Sequence, residues 1–381
     1  DDGYEVATEV SYDSGNYIAS LERALEMVGY SEFRQEQEDA RKEGRYLGVG
    51  ISSYVEICGA APSAVAGTLG ARAGLWESAN VRMHMTGKVS VFTGSSAHGQ
   101  GHETAFAQVV SSELGIPIED IDVVHGDTSQ IQMGTGTFGS RSAAVGGGAI
   151  YMSTQKIKQK AKKLAAHILE AAEEDIVFEE GKLFVKGAPN AAKTIQEIAL
   201  SSYYYTEDIP EDMEPGMEAL SFFDPSNFTW PGGTHIAVVE VDKLTGEVAL
   251  TRYVAVDDVG NVINPLIVDG MVHGGAAQGI GQALQEEAVY DGNGQLLTGS
   301  MMDYAVPKAE DIPMIETDRT VTPTLVNPLG VKGAGETATI AGSPAVINAV
   351  VDALSPFGIR HIDMPANSEK VWRLIQEAKD N

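Results

Sequence analysis

The sequence has little that crosslinks, ligates or anchors. Its 381 residues contain one cysteine, Cys58, which excludes an intrachain disulfide, a cysteine-based zinc site and an iron–sulfur cluster held by this chain alone. No run approaches the roughly 18 uncharged apolar residues that a membrane-spanning helix needs. Cations are scarce, with 26 Lys and Arg against 54 Asp and Glu, a net charge of −28. That balance argues against nucleic acid or an anionic membrane as partner. The chain starts at Asp1 without a basic-then-apolar leader, so a cytoplasmic protein is expected. What is present is an apolar share of 43%, ordinary for a globular protein. The length suggests two or three domains, or one large composite domain.

A polar, strand-like stretch opens the chain and leads to Tyr12-Asp13-Ser14-Gly15. Ile18, Leu21, Leu25 and Val28 recur at helical spacing, and Gly29 stops the run as a C-terminal cap does. Residues 31–42, dense in charge, read as a second, solvated helix, and 46–57 as a buried strand. A strand over 88–94, a Gly-rich turn, a helix over 103–114 and a strand over 121–125 follow. Residues 143–174 read as a long helix entered through three glycines; its lysines between 156 and 163 predict a solvated face rather than an anion site. Residues 203–227, acidic and aromatic, are expected to be a surface loop. Strands over 234–241 and 247–256 form a hairpin. Residues 269–284 make a Gly/Ala-rich helix that admits close approach of a backbone or ligand. Ser368 caps a last helix carrying Val371, Trp372 and Ile375. The pattern is that of a mixed α+β fold; the opening helix pair leading into a strand reads as the tail of a domain that began upstream, and the pattern changes from Lys88.

Three Gly-rich segments, 95–103, 134–142 and 330–336, sit at expected strand-to-helix junctions. Free backbone N–H groups at such junctions bind anions, phosphate above all; a single turn of this kind is more often plain structure, but three with embedded Gln, Arg, Lys and Glu favour a binding role. None is a P-loop or a Gly-x-Gly-x-x-Gly turn after a strand, so the ligand indicated is nucleotide-like without being a common NTP or NAD. His98, His102 and Glu103 imitate a zinc helix, but Gly99 and Gly101 break the helical face. No Gly-x-Ser-x-Gly elbow exists, and Cys58 reads as a core thiol. Glu336 follows Gly335 and either caps the next helix or stands at a cavity edge as a desolvated general base.

At these segments the sequence resembles the molybdenum hydroxylase family, that of xanthine dehydrogenase, aldehyde oxidoreductase and the large subunit of molybdenum-containing CO dehydrogenase. The matching stretches are Gly99-Gln100-Gly101-His102-Glu103, Gly139-Ser140-Arg141-Ser142, residues 256–265, residues 273–281 and residues 330–336. Tyr12-Asp13-Ser14-Gly15 and residues 361–365 look most like the CO dehydrogenase type. The resemblance implies the molybdopterin-binding domains of a large subunit, with 1–85 closing the first and 86–381 forming the second. It implies molybdopterin, usually as the cytosine dinucleotide, carrying molybdenum through its dithiolene with no metal ligand from the protein. Gly99, Gln100, Gly101 and His102, with Ser140, Arg141 and Ser142, would hold phosphates and pterin. Gln278 would lie near the pterin, Lys332 and Gly335 on the last loop, and Glu336 would be the catalytic glutamate. Arg141 and Lys332 would be the few nearby cations.

The reaction implied is oxidative hydroxylation of an aldehyde, an N-heterocycle or CO with oxygen from water. Electrons would leave for 2Fe–2S and FAD groups in partner subunits, because Cys58 alone cannot hold a cluster. Family large subunits run to about twice this length, and the resemblance starts midway. The upstream half, with its substrate-facing loop, is therefore expected as a partner, within a dimer of heteromers. A non-catalytic scaffold subunit of the same kind of complex is the alternative.

Overall fold

The computed structural model describes residues 10–68, 70 and 74–380; the polar stretch that opens the chain lies outside them. Helices α1 (Tyr17–Val28) and α2 (Tyr30–Lys42) meet at Gly29, whose φ of 63° closes the first and starts the second. Then come β1 (Tyr46–Val55), α3 (Ser63–Thr68), β2 (Glu77–Met83), β3 (Val89–Thr93), α4 (His102–Leu114), β4 (Ile121–His125) and α5 (Gly147–Ile168). Next are β5 (Ile176–Glu179), β6 (Lys182–Val185), β7 (Lys193–Thr194), α6 (Ile195–Tyr204) and β8 (Met217–Phe223). The chain closes with β9 (Gly232–Val241), β10 (Val248–Asp258), α7 (Pro265–Leu284), β11 (Ile315–Arg319), α8 (Thr337–Leu354) and α9 (Ser368–Asp380).

Two four-stranded sheets carry the cores. The first has the order β1-β9-β10-β11, antiparallel except for the parallel β10–β11 pair. Both of its faces are covered, so β9 is buried along almost all of its length, with an apolar run Ile236–Val239 at its centre. Because strand side chains alternate, Ile236 and Val238 face α1 and α2, while Ala237 and Val239 face α7, α8 and α9. Asp352 of α8 covers the exposed edge at β1: it accepts from Val49 N at 2.9 Å and from Arg34 Nη1 at 2.8 Å. In α7 and α8 the backbones touch: a Cβ on Gly279 would lie 2.9 Å from Gly342 Cα. The small-residue helix therefore uses Gly275 and Gly279 for packing against α8.

The second sheet, β4-β3-β2-β8, packs on α4 and α5, and a small sheet β5-β6-β7 stands beside α5. The division suggested near residue 85 falls in the tight turn joining the paired strands β2 and β3, where His84 N donates to Lys88 O at 2.8 Å.

Three local expectations change. The loop expected over 203–227 contains β8, which pairs along all of β2; its alternation of buried Met217 and Ser221 with exposed Glu218 and Phe222 is obscured by the acids before it. The long helix begins with a π-helical turn, Ser142–Gly146, and ends at Ile168, after which Glu170 turns back at φ 51°. Three of its five lysines are tied down: Lys158 pairs with Glu113 at 3.1 Å, Lys163 with Asp212 at 2.6 Å, and Lys156 donates to Leu220 O at 2.6 Å. The last helix is capped by Asn367, whose Oδ1 accepts from Lys370 N at 3.0 Å, with Ser368 already inside the helix.

Among the described residues one helical stretch, Thr337–Phe357, is long and apolar enough to cross a membrane by length and composition. It is a core helix here: Ala345, Val346, Ala349 and Ala353 are fully buried, packed on β9 and α7.

Candidate functional site

A cleft of about 650 Å³ opens between the two sheet systems. Its walls come from residues 98–106, 137–143, 259–271 and 331–336, so all three Gly-rich segments found in the sequence converge on it. Phe106, Ile263, Ile267 and Met271 give it apolar sides. The wall over 259–271 was not singled out for binding in the sequence, although 256–265 carried part of the resemblance. Asn264 builds that wall by capping α7, accepting from Ile267 N at 3.1 Å.

Helix α4 begins in the cleft at Gly101, and no side chain caps it. Its unpaired amides and positive partial charge suit an anion. Gly99 and Gln100 line the approach, with Gln100 Oε1 accepting from His98 N at 2.6 Å. Gly101 itself is turned away and sits against Ile267, where a Cβ would fall 2.8 Å from Cδ1. His102 is buried, stacked on Phe106 with ring centres 5.0 Å apart. Burial lowers its pKa to about 4, outweighing the pull of Glu103, so the ring is neutral at pH 7, and its Nδ1 has no partner. Glu103 points elsewhere, to His125 at 2.8 Å.

The turn over 139–142 divides the site's neighbours. Ser140, held at φ 47°, faces the cleft, and its Oγ lies 2.8 Å from Glu336 Oε2 and 3.1 Å from Glu56 Oε1. Ser142 lines the cleft and meets Thr137 Oγ1 at 2.8 Å. Arg141 departs from its expected place: its side chain is fully buried and absent from the cleft lining. It pairs with Glu77 at 2.9 Å and donates to the carbonyls of Ala60, Gly136 and Leu75. A guanidinium with this many fixed acceptors is a structural post.

Lys332 lines the cleft, yet its ammonium donates inward to Ser14 O and Thr322 Oγ1, each at 3.0 Å, and lies 3.9 Å from Asp258. Burial lowers its pKa, with Asp258 opposing. Neither expected cation therefore offers a free charge to a phosphate, and backbone amides are what the cleft presents. Gln278 lies on α7, outside the cleft lining, and accepts from Thr339 Oγ1 at 3.1 Å.

The last loop brings Gly335 and Glu336 to the cleft. Gly333 makes its approach possible: a Cβ there would lie 2.5 Å from Ser140 Cβ and 2.6 Å from Cys58 Sγ. Glu336 occupies the N-cap position of α8 but makes no capping bond with its side chain; it is exposed and takes the Ser140 hydroxyl instead.

Behind Ser140 stands a carboxylate that the sequence reading passed over. Glu56 lies just beyond β1, and burial raises its pKa to about 7, with the Cys58 and Ser140 hydrogen bonds opposing and Glu336 adding to the rise. Cys58 is buried beside it, its thiol pushed up by burial and by Glu56.

The cleft thus offers two uncapped helix starts, a buried unpartnered imidazole nitrogen, apolar walls and one exposed carboxylate. These suit a ligand that combines phosphate with a heterocycle.

The model of a family described as the molybdopterin cofactor-binding domain matches residues 23–313. The chain is 41% identical over 369 residues to the carbon monoxide dehydrogenase large chain of Hydrogenophaga pseudoflava, covering 96% of this chain and 45% of that one. It is 40% identical over 364 residues to the nicotine 6-hydroxylase large subunit of Paenarthrobacter nicotinovorans, covering 96% and 44%. A crystal structure of Cu,Mo-CO dehydrogenase in its carbon monoxide reduced state superposes with a TM-score of 0.93 at 40% identity, over 99% of this chain and 47% of that one. The chain spans about half the length of the curated relatives it matches. It belongs to the molybdopterin cofactor-binding domain family of the molybdenum hydroxylases.

Proposed function

We propose that this chain supplies the cofactor cleft and the general base of a molybdenum hydroxylase, acting as the C-terminal half of a large subunit of the CO dehydrogenase type. The observation that carries the reading is Glu336, an exposed carboxylate at an uncapped helix start, held on the cleft by Ser140. Relatives whose names include carbon monoxide dehydrogenase and nicotine 6-hydroxylase support the same class of chemistry.

In this proposal the start of α4, Gly99, Gln100, His102, Ser140 and Ser142 would hold molybdopterin, as its cytosine dinucleotide, through amides and hydroxyls. The cofactor supplies two-electron oxidation at molybdenum. His102, neutral at pH 7, contributes Nδ1 as a hydrogen-bonding atom without adding charge. Glu336 takes the proton released when water-derived oxygen is delivered to an electrophilic carbon of an aldehyde, an N-heterocycle or CO. Gly335 keeps the space in front of that carboxylate clear, and Ser140 aims it. The 2Fe–2S and FAD groups that would take up the electrons would sit on other subunits, since this chain has only Cys58. An upstream half completes the substrate side, in a cytoplasmic dimer of heteromers.

Molybdenum, pterin and nucleotide analysis of the native complex tests this. The expected result is molybdenum and pterin in equal amounts together with a cytidine nucleotide. A complex with neither molybdenum nor pterin overturns it.

A further inference from the structure

Glu56 and Glu336 share one hydroxyl. Ser140 Oγ lies 3.1 Å from Glu56 Oε1 and 2.8 Å from Glu336 Oε2, yet a serine hydroxyl carries a single hydrogen. With both carboxylates ionised, one of these contacts joins two acceptors. Nor is there a cation to settle the charge among the described residues nearby: Arg141 is turned to Glu77, and Lys332 to Ser14 and Thr322. Glu56 is 5% exposed, and its second oxygen, Oε2, is buried without a partner. The other titratable groups around it are the Cys58 thiol and Tyr54, whose hydroxyl is held by Asp257, itself paired with His235 at 3.0 Å. None of these is positioned as a counter-charge. A cluster of this composition is relieved by one added proton on a carboxyl, and two carboxyls that share a proton titrate as a pair.

We propose that Glu56 carries that proton and exchanges it with Glu336 through the Ser140 hydroxyl, as a positioning residue for the base. The inference rests on the reading of Glu336 as the base. In one direction the Glu56 carboxyl gives its proton to Ser140 Oγ while the Ser140 proton passes to Glu336 Oε2, leaving Glu56 ionised and Glu336 protonated. The reverse transfer returns Glu336 to a carboxylate and stores the proton on Glu56, out of contact with solvent. Only O–H bonds form and break, one proton moves, and no electron is transferred. With Glu56 protonated, the Ser140 hydroxyl is fixed as a donor to Glu336, so the base is held ionised and aimed.

Infrared difference spectroscopy of the full chain during a pH titration reads the carboxyl C=O band of Glu56 without any cofactor. The expected band disappears as pH rises through about 7 and is missing in Glu56→Gln. It moves to lower pH in Glu336→Gln, which removes the neighbouring charge, and to higher pH in Ser140→Ala, which removes a bond to the ionised form. The last two variants keep the test open if Glu56→Gln fails to fold. In the assembled enzyme Ser140→Ala lowers turnover about tenfold, the order expected of one charge-assisted hydrogen bond, and displaces the pH profile. A missing band in the wild type, or a band unmoved by both neighbours, overturns the exchange. An active Glu336→Gln enzyme would instead defeat the assignment of the base, and the infrared shifts would still decide whether the two carboxyls share the proton.

Discussion

On one side of the 139–142 turn Glu77 is sealed from solvent against Arg141; on the other Glu56 is nearly as buried, with no cation paired to it among the described residues. Burial acts on both in the same direction. It raises Glu77 and lowers Arg141, and their attraction and hydrogen bonds offset only part of that cost, as expected for a buried ion pair. Burial raises the pKa of Glu56 to about 7, and the Glu336 carboxylate adds to the rise while the Ser140 and Cys58 hydrogen bonds oppose it. Two consecutive residues, Ser140 and Arg141, thus serve opposite ends. The paired carboxylate fixes the turn in place, and the unpaired one is left able to change its protonation at neutral pH. Strongly perturbed carboxyls of the second kind cluster at functional sites.

The contrast can be broken from either side. Arg141→Met has the largest expected effect, about 3–5 kcal/mol of stability, because it strands a buried Glu77 charge; the shift in denaturant midpoint measures it, and a loss near zero would mean that the pair is dispensable. Glu56→Gln acts oppositely and only through pH. A carboxyl whose folded pKa is raised contributes stability that is fully present below its ordinary value of 4.5 and is lost as pH rises through about 7. The variant is therefore expected to flatten that slope and to be about 2–3 kcal/mol better off relative to wild type at pH 8 than at pH 4. Unfolding curves at the two pH values check this. Gly333→Ala sharpens the contrast with the smallest effect, about 1–3 kcal/mol of overpacking, since its Cβ would press on Ser140 and Cys58. It should disturb the Glu56–Ser140–Glu336 contacts and leave the Arg141–Glu77 pair alone, visible as a shifted Glu56 titration with the Arg141→Met effect unchanged.

Local signals in the sequence carried far. The apolar spacing from Ile18 to Val28 with Gly29 behind it, and the strand over 121–125, match α1 and β4 because period and caps are read within a few residues. The three Gly-rich turns line one cleft. What was not legible depends on distant partners. β8 becomes a strand by pairing with β2, far upstream. Arg141 is held by Glu77, 64 residues away. Glu56 gains its character only from Ser140, 84 residues on, and from Glu336, which is 196 residues beyond Ser140. A lone Glu at a strand end gives no sequence signal of this. Among the described residues, the cations near the cleft are committed to neighbours that sequence spacing cannot reveal.

Turnover and molybdenum-pterin content of Glu336→Gln, measured together on the assembled enzyme, address the proposed role of the cleft most directly. Loss of a general base costs about a hundred- to ten-thousandfold in rate. The expected result is a turnover reduced on that order with molybdenum and pterin content unchanged. Unaltered turnover would contradict it and make this chain the scaffold of a complex whose chemistry lies on another subunit.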